Sequence, residues 1–303
     1  MFNRFRRGLF IASFLAAPVA LYLIYVISPY AQAFYISMTD WRGVTANPRF
    51  IGLENYRRLL GDEVFWKAAL HNGLLLVLLP LITIVIALFF AFLLNVGGGQ
   101  RGVAGIWGSK FYRVVFFFPQ VLAIAVIAVL FQQVFRPDGS GMLNGPIMAM
   151  GGKAVGFLSD PSVAPWSVLG VLVWQAVGFY VVLFSAGLAS IPTDMFEAAQ
   201  IDGAGRVALF FRVTLPLLWD TVQVAWVYLG ILALDVFAIV WVMTDQHGGP
   251  DYSTTVMAAE IYRTAFQGFR FGYASALGVV MFFFTVGFAI LALRLSRRDR
   301  IEY

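Results

Sequence analysis

The sequence contains no cysteine. That excludes a disulfide framework, a thiolate metal site and a thiol nucleophile. Its two histidines, His71 and His247, are far apart and lack metal-ligand spacing, so no metal site is expected. Among 21 basic residues the only lysines are Lys67, Lys110 and Lys153. Charged side chains make up 12% of the chain against 60% hydrophobic, too few to cover a water-soluble surface. The net charge of +5 does not signal nucleic acid, because the charges fall in connectors between apolar segments. A phosphate loop, Gly-x4-Gly-Lys-Ser/Thr, is also missing. Gly97-Gly98-Gly99-Gln100 and Gly151-Gly152-Lys153-Ala154 both lack its spacing. No pair of titratable groups is placed to share a site, so no catalytic residue is expected. The chain has no duplicated period, no low-complexity tract and none of the short alternating segments of a barrel.

Long apolar runs dominate what is present. Six are long enough to cross a bilayer of about 30 Å as helices. They lie at about 9–37, 68–95, 114–135, 166–189, 217–243 and 272–293. Backbone polar groups must be paired inside lipid, so the expected fold is all-α and polytopic. Residues 1–303 form a single transmembrane domain. Ala31-Gln32-Ala33 resembles a signal-peptidase site, but the run before it is roughly 19 residues and a signal core is about 7–15. An uncleaved first span fits better. Pro80 inside the second run and Pro119 near the start of the third predict kinks. Phe50 to Leu60 mixes apolar and basic residues at helical spacing, as an interfacial helix would. Pro137 to Pro165 is rich in Gly and Pro and reads as an ordered loop with turns.

Basic residues set the expected orientation. With the N-terminus inside, Arg4, Arg6, Arg7, Arg101, Lys110, Arg113, Arg206, Arg212, Arg294, Arg297, Arg298 and Arg300 are cytoplasmic. That is 12 in roughly 60 residues, against 9 in roughly 85 outside. Both termini are therefore expected in the cytoplasm, and so is the connector at 190–215.

That connector has its own pattern. Asp194 with Glu197 fits a variant capping box, and Ala198 and Ala199 are small helix formers that permit close approach of a partner. Gly203 can take positive φ and end the helix, and Pro216 can start the next one. Asp235 is the one carboxylate well inside a run, where an acid usually faces a cavity or a partner. Its commoner alternative is a helix-packing contact. Trp174, Gln175, Tyr180 and Tyr228 supply the aromatic faces and polar groups that a hydroxyl-rich solute needs, although each alone also fits ordinary packing. Gln132 and Gln133 fall near the outer end of the third run, at headgroup depth.

Residues 197–216 read Glu-Ala-Ala, three residues, Gly203, nine residues, Val213, one residue, Leu215-Pro216. This resembles the EAA loop of bacterial ABC-importer permeases. The likeness extends to Phe50-Ile-Gly52-Leu-Glu-Asn55-Tyr56, to Phe135-Arg-Pro137 and Gly141-Met-Leu-Asn144, and to Met243-Thr244 with Gly248-Gly249-Pro250. The chain is identified by these motifs as similar to the first permease of maltose and glycerol-3-phosphate type carbohydrate importers. It departs by placing Asp245, Gln246 and His247 between Thr244 and Gly248, which puts the local loop shape in question.

The resemblance implies a type I ABC importer permease fold in the bacterial inner membrane, and half of a sugar path shared with a second permease in a heterodimer. It implies two copies of an ATPase subunit, docked through Glu197, Ala198, Ala199 and Gly203, and an extracytoplasmic sugar-binding protein. The chain itself would be no enzyme and carry no cofactor; ATP and magnesium belong to the ATPase. The small-molecule partner is a sugar or polyol, the surrounding partner is membrane lipid, and there is no nucleic acid. The rival class is an ion-coupled secondary transporter, which needs coupled intramembrane ionisable groups, commonly in repeated halves. A lone Asp235 argues against it.

Overall fold

The computed structural model describes residues 2–44, 47–95 and 107–295. The glycine run 97–100 and Arg101, Arg297, Arg298 and Arg300 lie outside the described residues, as do the side chains of Arg4, Arg6 and Arg7. Among the described residues the chain is helical, with a single antiparallel bridge between Thr39 and Phe50.

Helix α1 (Phe2–Tyr22) passes through a π-turn at Leu23–Ile27 into α2 (Ser28–Ser37). A short α3 (Glu54–Leu60) precedes α4 (Glu63–Asn95). Then come α5 (Ser109–Val121), α6 (Ile124–Val134), α7 (Asn144–Ala149) and α8 (Ala164–Ala189). The connector holds α9 (Thr193–Ile201). Beyond it α10 (Arg206–Ala208), a π-turn (Leu209–Thr214) and α11 (Leu215–Leu217) lead to α12 (Trp219–Leu234). Last are α13 (Ala238–Met243), α14 (Met257–Tyr262) and α15 (Phe271–Leu295).

Among the described residues four helical stretches are long and apolar enough to cross a membrane: Phe10–Ser37, Glu63–Asn95, Ala164–Ala189 and Phe271–Arg294. Two bent pairs bring the number to six if each is one span: Ser109–Val121 with Ile124–Val134 at 98°, and Arg206–Leu217 with Trp219–Leu234 at 71°. The third expected run is thus divided. Leu122 and Ala123 are extended, with ψ of 140° and 133°. Pro119 lies a turn upstream, and its missing N–H leaves the ladder one bond short. At Pro80 the expected disruption does not break the helix, and α4 continues through this buried residue.

The fifth expected run, 217–243, differs more. The chain is already helical from Arg206, so Pro216 sits inside a helical stretch and does not start it. A second interruption falls at Asp235–Phe237, between α12 and α13. Nothing in the hydropathy marks it, because apolar residues flank Asp235 on both sides.

Contacts divide the chain into two units, residues 1–63 with 260–283 and residues 64–259 with 284–303. In the first, the buried Asn55 side chain donates to the Ser37 and Thr39 carbonyls, both at 2.8 Å. Tyr56 and Ser37 share a hydroxyl hydrogen bond of 2.7 Å. This fixes α3, the helix expected at residues 50–60, against the end of α2. The same unit buries Glu260, which pairs with Arg263 at 2.5 Å. Burial pushes the Glu260 carboxyl up, and the Arg263 charge opposes that shift.

In the second unit, the largest fully buried side chains include Leu79 on α4, Ile127 on α6, Phe184 on α8, Leu229 on α12 and Ile239 on α13. Helices α5 and α8 meet closely at Gly178, where a Cβ would overlap the Phe116 carbonyl. Small residues permit such backbone approach between helices in lipid. The Gln132 amide donates to the Val242 carbonyl at 2.6 Å and so ties α6 to the end of α13. The 137–165 segment is ordered as expected. Asn144 is buried, donating to the Arg136 and Val155 carbonyls and accepting from the Val155 N–H.

Candidate functional site

Helix α9 carries the Glu-Ala-Ala element and has two faces. Phe196 is buried and Ala199 packs on the same core, one helical turn apart. Glu197, Ala198 and Gln200 face outward, and Ile201 is 85% exposed.

The two ends of α9 differ in how well they were read. At the start the expected capping box does not form. Pro192 is the N-cap and no side chain bonds the free N–H groups. Asp194 instead sits in the first turn, where its charge favours the helix N-terminus. At the far end the Ala204 N–H bonds the Ala199 carbonyl at 2.9 Å and the Gly203 N–H bonds Gln200 at 3.0 Å. This paired closure needs a left-handed residue, and Gly203 supplies it with φ of +83°. No atom lies within 4 Å of where its Cβ would be, so the need for glycine is conformational.

The candidate path residues have differing surroundings. Trp174 is 44% exposed and meets Phe131 of α6 edge-on at 5.1 Å. Gln175 is half-buried beside it. Tyr180 turns inward, 7% exposed, against Phe184. Tyr228, 67% exposed on α12, lies within electrostatic reach of Tyr180. Asp235 is not inside a continuous helix. It caps the end of α12 and is exposed there, its N–H shared between the Ile231 and Leu232 carbonyls at 3.1 and 3.2 Å. An apolar groove of about 670 Å³ lies elsewhere, between α4 and the α10–α12 stretch, with Arg206 and Trp219 on its wall.

The three residues inserted before Gly248 make a short turn. Gln246 and His247 both have positive φ, at 53° and 58°. His247 stacks on Trp241 at 4.2 Å and bonds its carbonyl at 2.7 Å, which holds the turn against α13. Gly249 has φ of 74°, and a Cβ there would sit 2.7 Å from the Thr254 hydroxyl. The Gly-Gly-Pro element therefore survives the insertion as a tight turn.

Sequence reasoning missed Asn72. Its signal was an amide inside a long apolar run. The structure buries it against the fifth-span interruption, with Nδ2 2.9 Å from the Ala233 carbonyl.

Among the described residues the chain is helical with up to six spans and a two-faced helix on the connector before the fifth, the architecture of a polytopic membrane protein. The family of binding-protein-dependent transport system inner membrane components matches residues 96–301. A permease protein of the diacetylchitobiose uptake system of Streptomyces coelicolor is 39% identical, over 97% of this chain and 84% of the relative. The multiple sugar-binding transport system permease protein MsmF of Streptococcus mutans is 32% identical, over 95% of this chain and 96% of the relative. A chain of a bacterial alginate ABC transporter, solved in complex with a pentasaccharide-bound periplasmic protein, superposes with a TM-score of 0.82 at 23% identity. That match covers 98% of this chain and 97% of the other, and it shows the shared fold.

The chain belongs to the binding-protein-dependent permeases of ABC importers, in the branch of the carbohydrate-importer permeases. It is a multi-pass membrane protein with the type I permease fold, a transport subunit and not an enzyme. Membership also sets aside the ion-coupled transporter.

Proposed function

We propose that this chain forms one half of a carbohydrate translocation path, paired with a second, different permease, and is driven by two copies of a separate ATPase bound at residues 190–215. An extracytoplasmic binding protein delivers the sugar. The observation that carries this reading is α9, a helix with one face anchored by Phe196 and the other, with Glu197, Ala198 and Ile201, left bare. ATP and magnesium act on the ATPase. ATP binding moves that subunit, and the permease responds as a two-state element biased from both ends. Co-expression with the neighbouring permease, ATPase and binding protein, followed by uptake assays in proteoliposomes, tests the reading. Uptake is expected to need internal ATP and to survive an uncoupler; the reverse pattern would reject it. A sugar panel should include mono- and disaccharides, amino sugars and polyols.

The topology follows from the charge count, with both termini in the cytoplasm. Reporter fusions at Gly98 and Ala204 are expected to report cytoplasm and a fusion at Gly151 the outside. Inverted signals would remove the coupling assignment as well, since the connector would then face away from ATP.

The Trp174–Tyr180 stretch, with Tyr228 and Asp235, is proposed to contribute to the sugar path. Trp174→Ala and Gln175→Ala are expected to lower uptake or shift sugar preference while the complex still assembles. Normal rate and preference in both would make their contacts, such as that of Trp174 with Phe131, plain packing.

A further inference from the structure

The last four carbonyls of a helix have no partner within it, and in an apolar layer water does not supply one. At the end of α12 each is accounted for. Ile231 and Leu232 accept from the Asp235 N–H. Ala233 and Leu234 accept from Nδ2 of Asn72, at 2.9 and 3.3 Å. The same amide works in the other direction: its Oδ1 accepts from the N–H of Met257, the first residue of α14, at 2.8 Å. Asn72 is 2% exposed. One planar side chain on α4 thus closes two helix ends, and an aliphatic residue of its size would leave two carbonyls and an N–H buried without partners.

The two ends matter for different reasons. One carries Asp235 and the interruption of the fifth span. The other follows directly from the Gly248-Gly249-Pro250 turn through Thr254 and Thr255. Displacement of either strains the hydrogen bonds to the other, because the amide is rigid and α4 is a continuous helix around it.

We infer that Asn72 is a positioning residue for transport, fixing the interruption at Asp235 and linking its movement to the 244–256 turn. This rests on the permease reading above.

The test uses the full complex with its partner subunits and binding protein, comparing the unaltered chain with Asn72→Leu and Asn72→Asp. Two readouts are taken: ATP-driven uptake of a radiolabelled sugar, and amide hydrogen exchange of peptides spanning 231–238 and 254–262. Asn72→Leu is expected to raise exchange in both peptides and to lower the maximal uptake rate about tenfold with little change in KM. Asn72→Asp keeps the size and the acceptor for the Met257 N–H but turns an oxygen on the Ala233 and Leu234 carbonyls, so exchange should rise in 231–238 and stay lower in 254–262 than in Asn72→Leu. Unchanged exchange in either peptide would overturn the assignment. So would raised exchange with wild-type uptake, which would leave Asn72 a structural residue only. Where Asn72→Leu does not assemble, Asn72→Asp decides: unchanged exchange in 231–238, or raised exchange there with wild-type uptake, overturns the assignment. A failure of uptake in the unaltered complex would strike the permease reading instead, while the exchange comparison would still judge the anchoring on its own.

Discussion

Gly178→Val is expected to prevent accumulation of folded permease. Helices α5 and α8 approach until the Phe116 carbonyl fills the space a side chain at 178 would need, and the Phe117 N lies 2.9 Å from that point. The obstacle is backbone on a neighbouring helix, so no rotamer change relieves it. Overpacking against movable side chains costs about 1–3 kcal/mol, and this contact belongs at or above that range. Gly178→Ala should already lower the yield, because it is the Cβ itself that overlaps. Gly170→Ala, on the same helix with no atom within 4 Å of its Cβ, is the control and should be neutral or mildly stabilising. Membrane-fraction yield and the thermal transition of the purified complex measure both. Equal behaviour of the 178 and 170 variants would mean the close approach is not needed.

The second large effect is expected at the connector. Gly203→Val must take φ near +83° with a β-branched side chain, at a cost of about 1–2 kcal/mol or the loss of the turn. The surroundings are open, so the change should alter the shape of the loop and not the packing of the spans. Ala198→Trp adds bulk to a position already exposed in this chain. Its own fold should be indifferent, and only a partner seated there would notice. Both variants are expected to insert normally while sugar no longer stimulates ATP hydrolysis. The absence of native cysteine allows a direct check. Ala198→Cys should cross-link to a cysteine placed in the ATPase cleft, with a yield that changes on ATP binding. An ATPase that never co-purifies, with no cross-link in any nucleotide state, would sink the docking assignment.

What was legible in the sequence was what depends on neighbours in the chain. Apolar runs of spanning length declare themselves because lipid tolerates nothing else. Gly203 was readable because a left-handed residue ending a helix is a local requirement. The N-terminus of α9 misled because Asp194 and Glu197 have capping spacing, yet the helix begins one residue after Pro192 and carries Asp194 inside its first turn. The interruption at Asp235 was invisible for a different reason. The residue that makes it tolerable, Asn72, lies 161 positions from Ala233. Aromatic composition also could not tell Trp174, turned toward Phe131, from Tyr180, turned toward Phe184, since both sit on one apolar helix.

The 71° corner between Arg206–Leu217 and Trp219–Leu234 bears on mechanics. A straight rod passes thrust along its axis, whereas an elbow converts it into rotation of the outer limb. That limb, α12, has 16 residues and is about 24 Å long. A rotation of about 5° at Leu218 would swing its tip by roughly 2 Å, enough to make or break a hydrogen bond. The tip is Leu234, next to Asp235. On the proposed coupling, a small push on the Arg206–Leu217 limb would be delivered, as torque, to the second interruption of the fifth span.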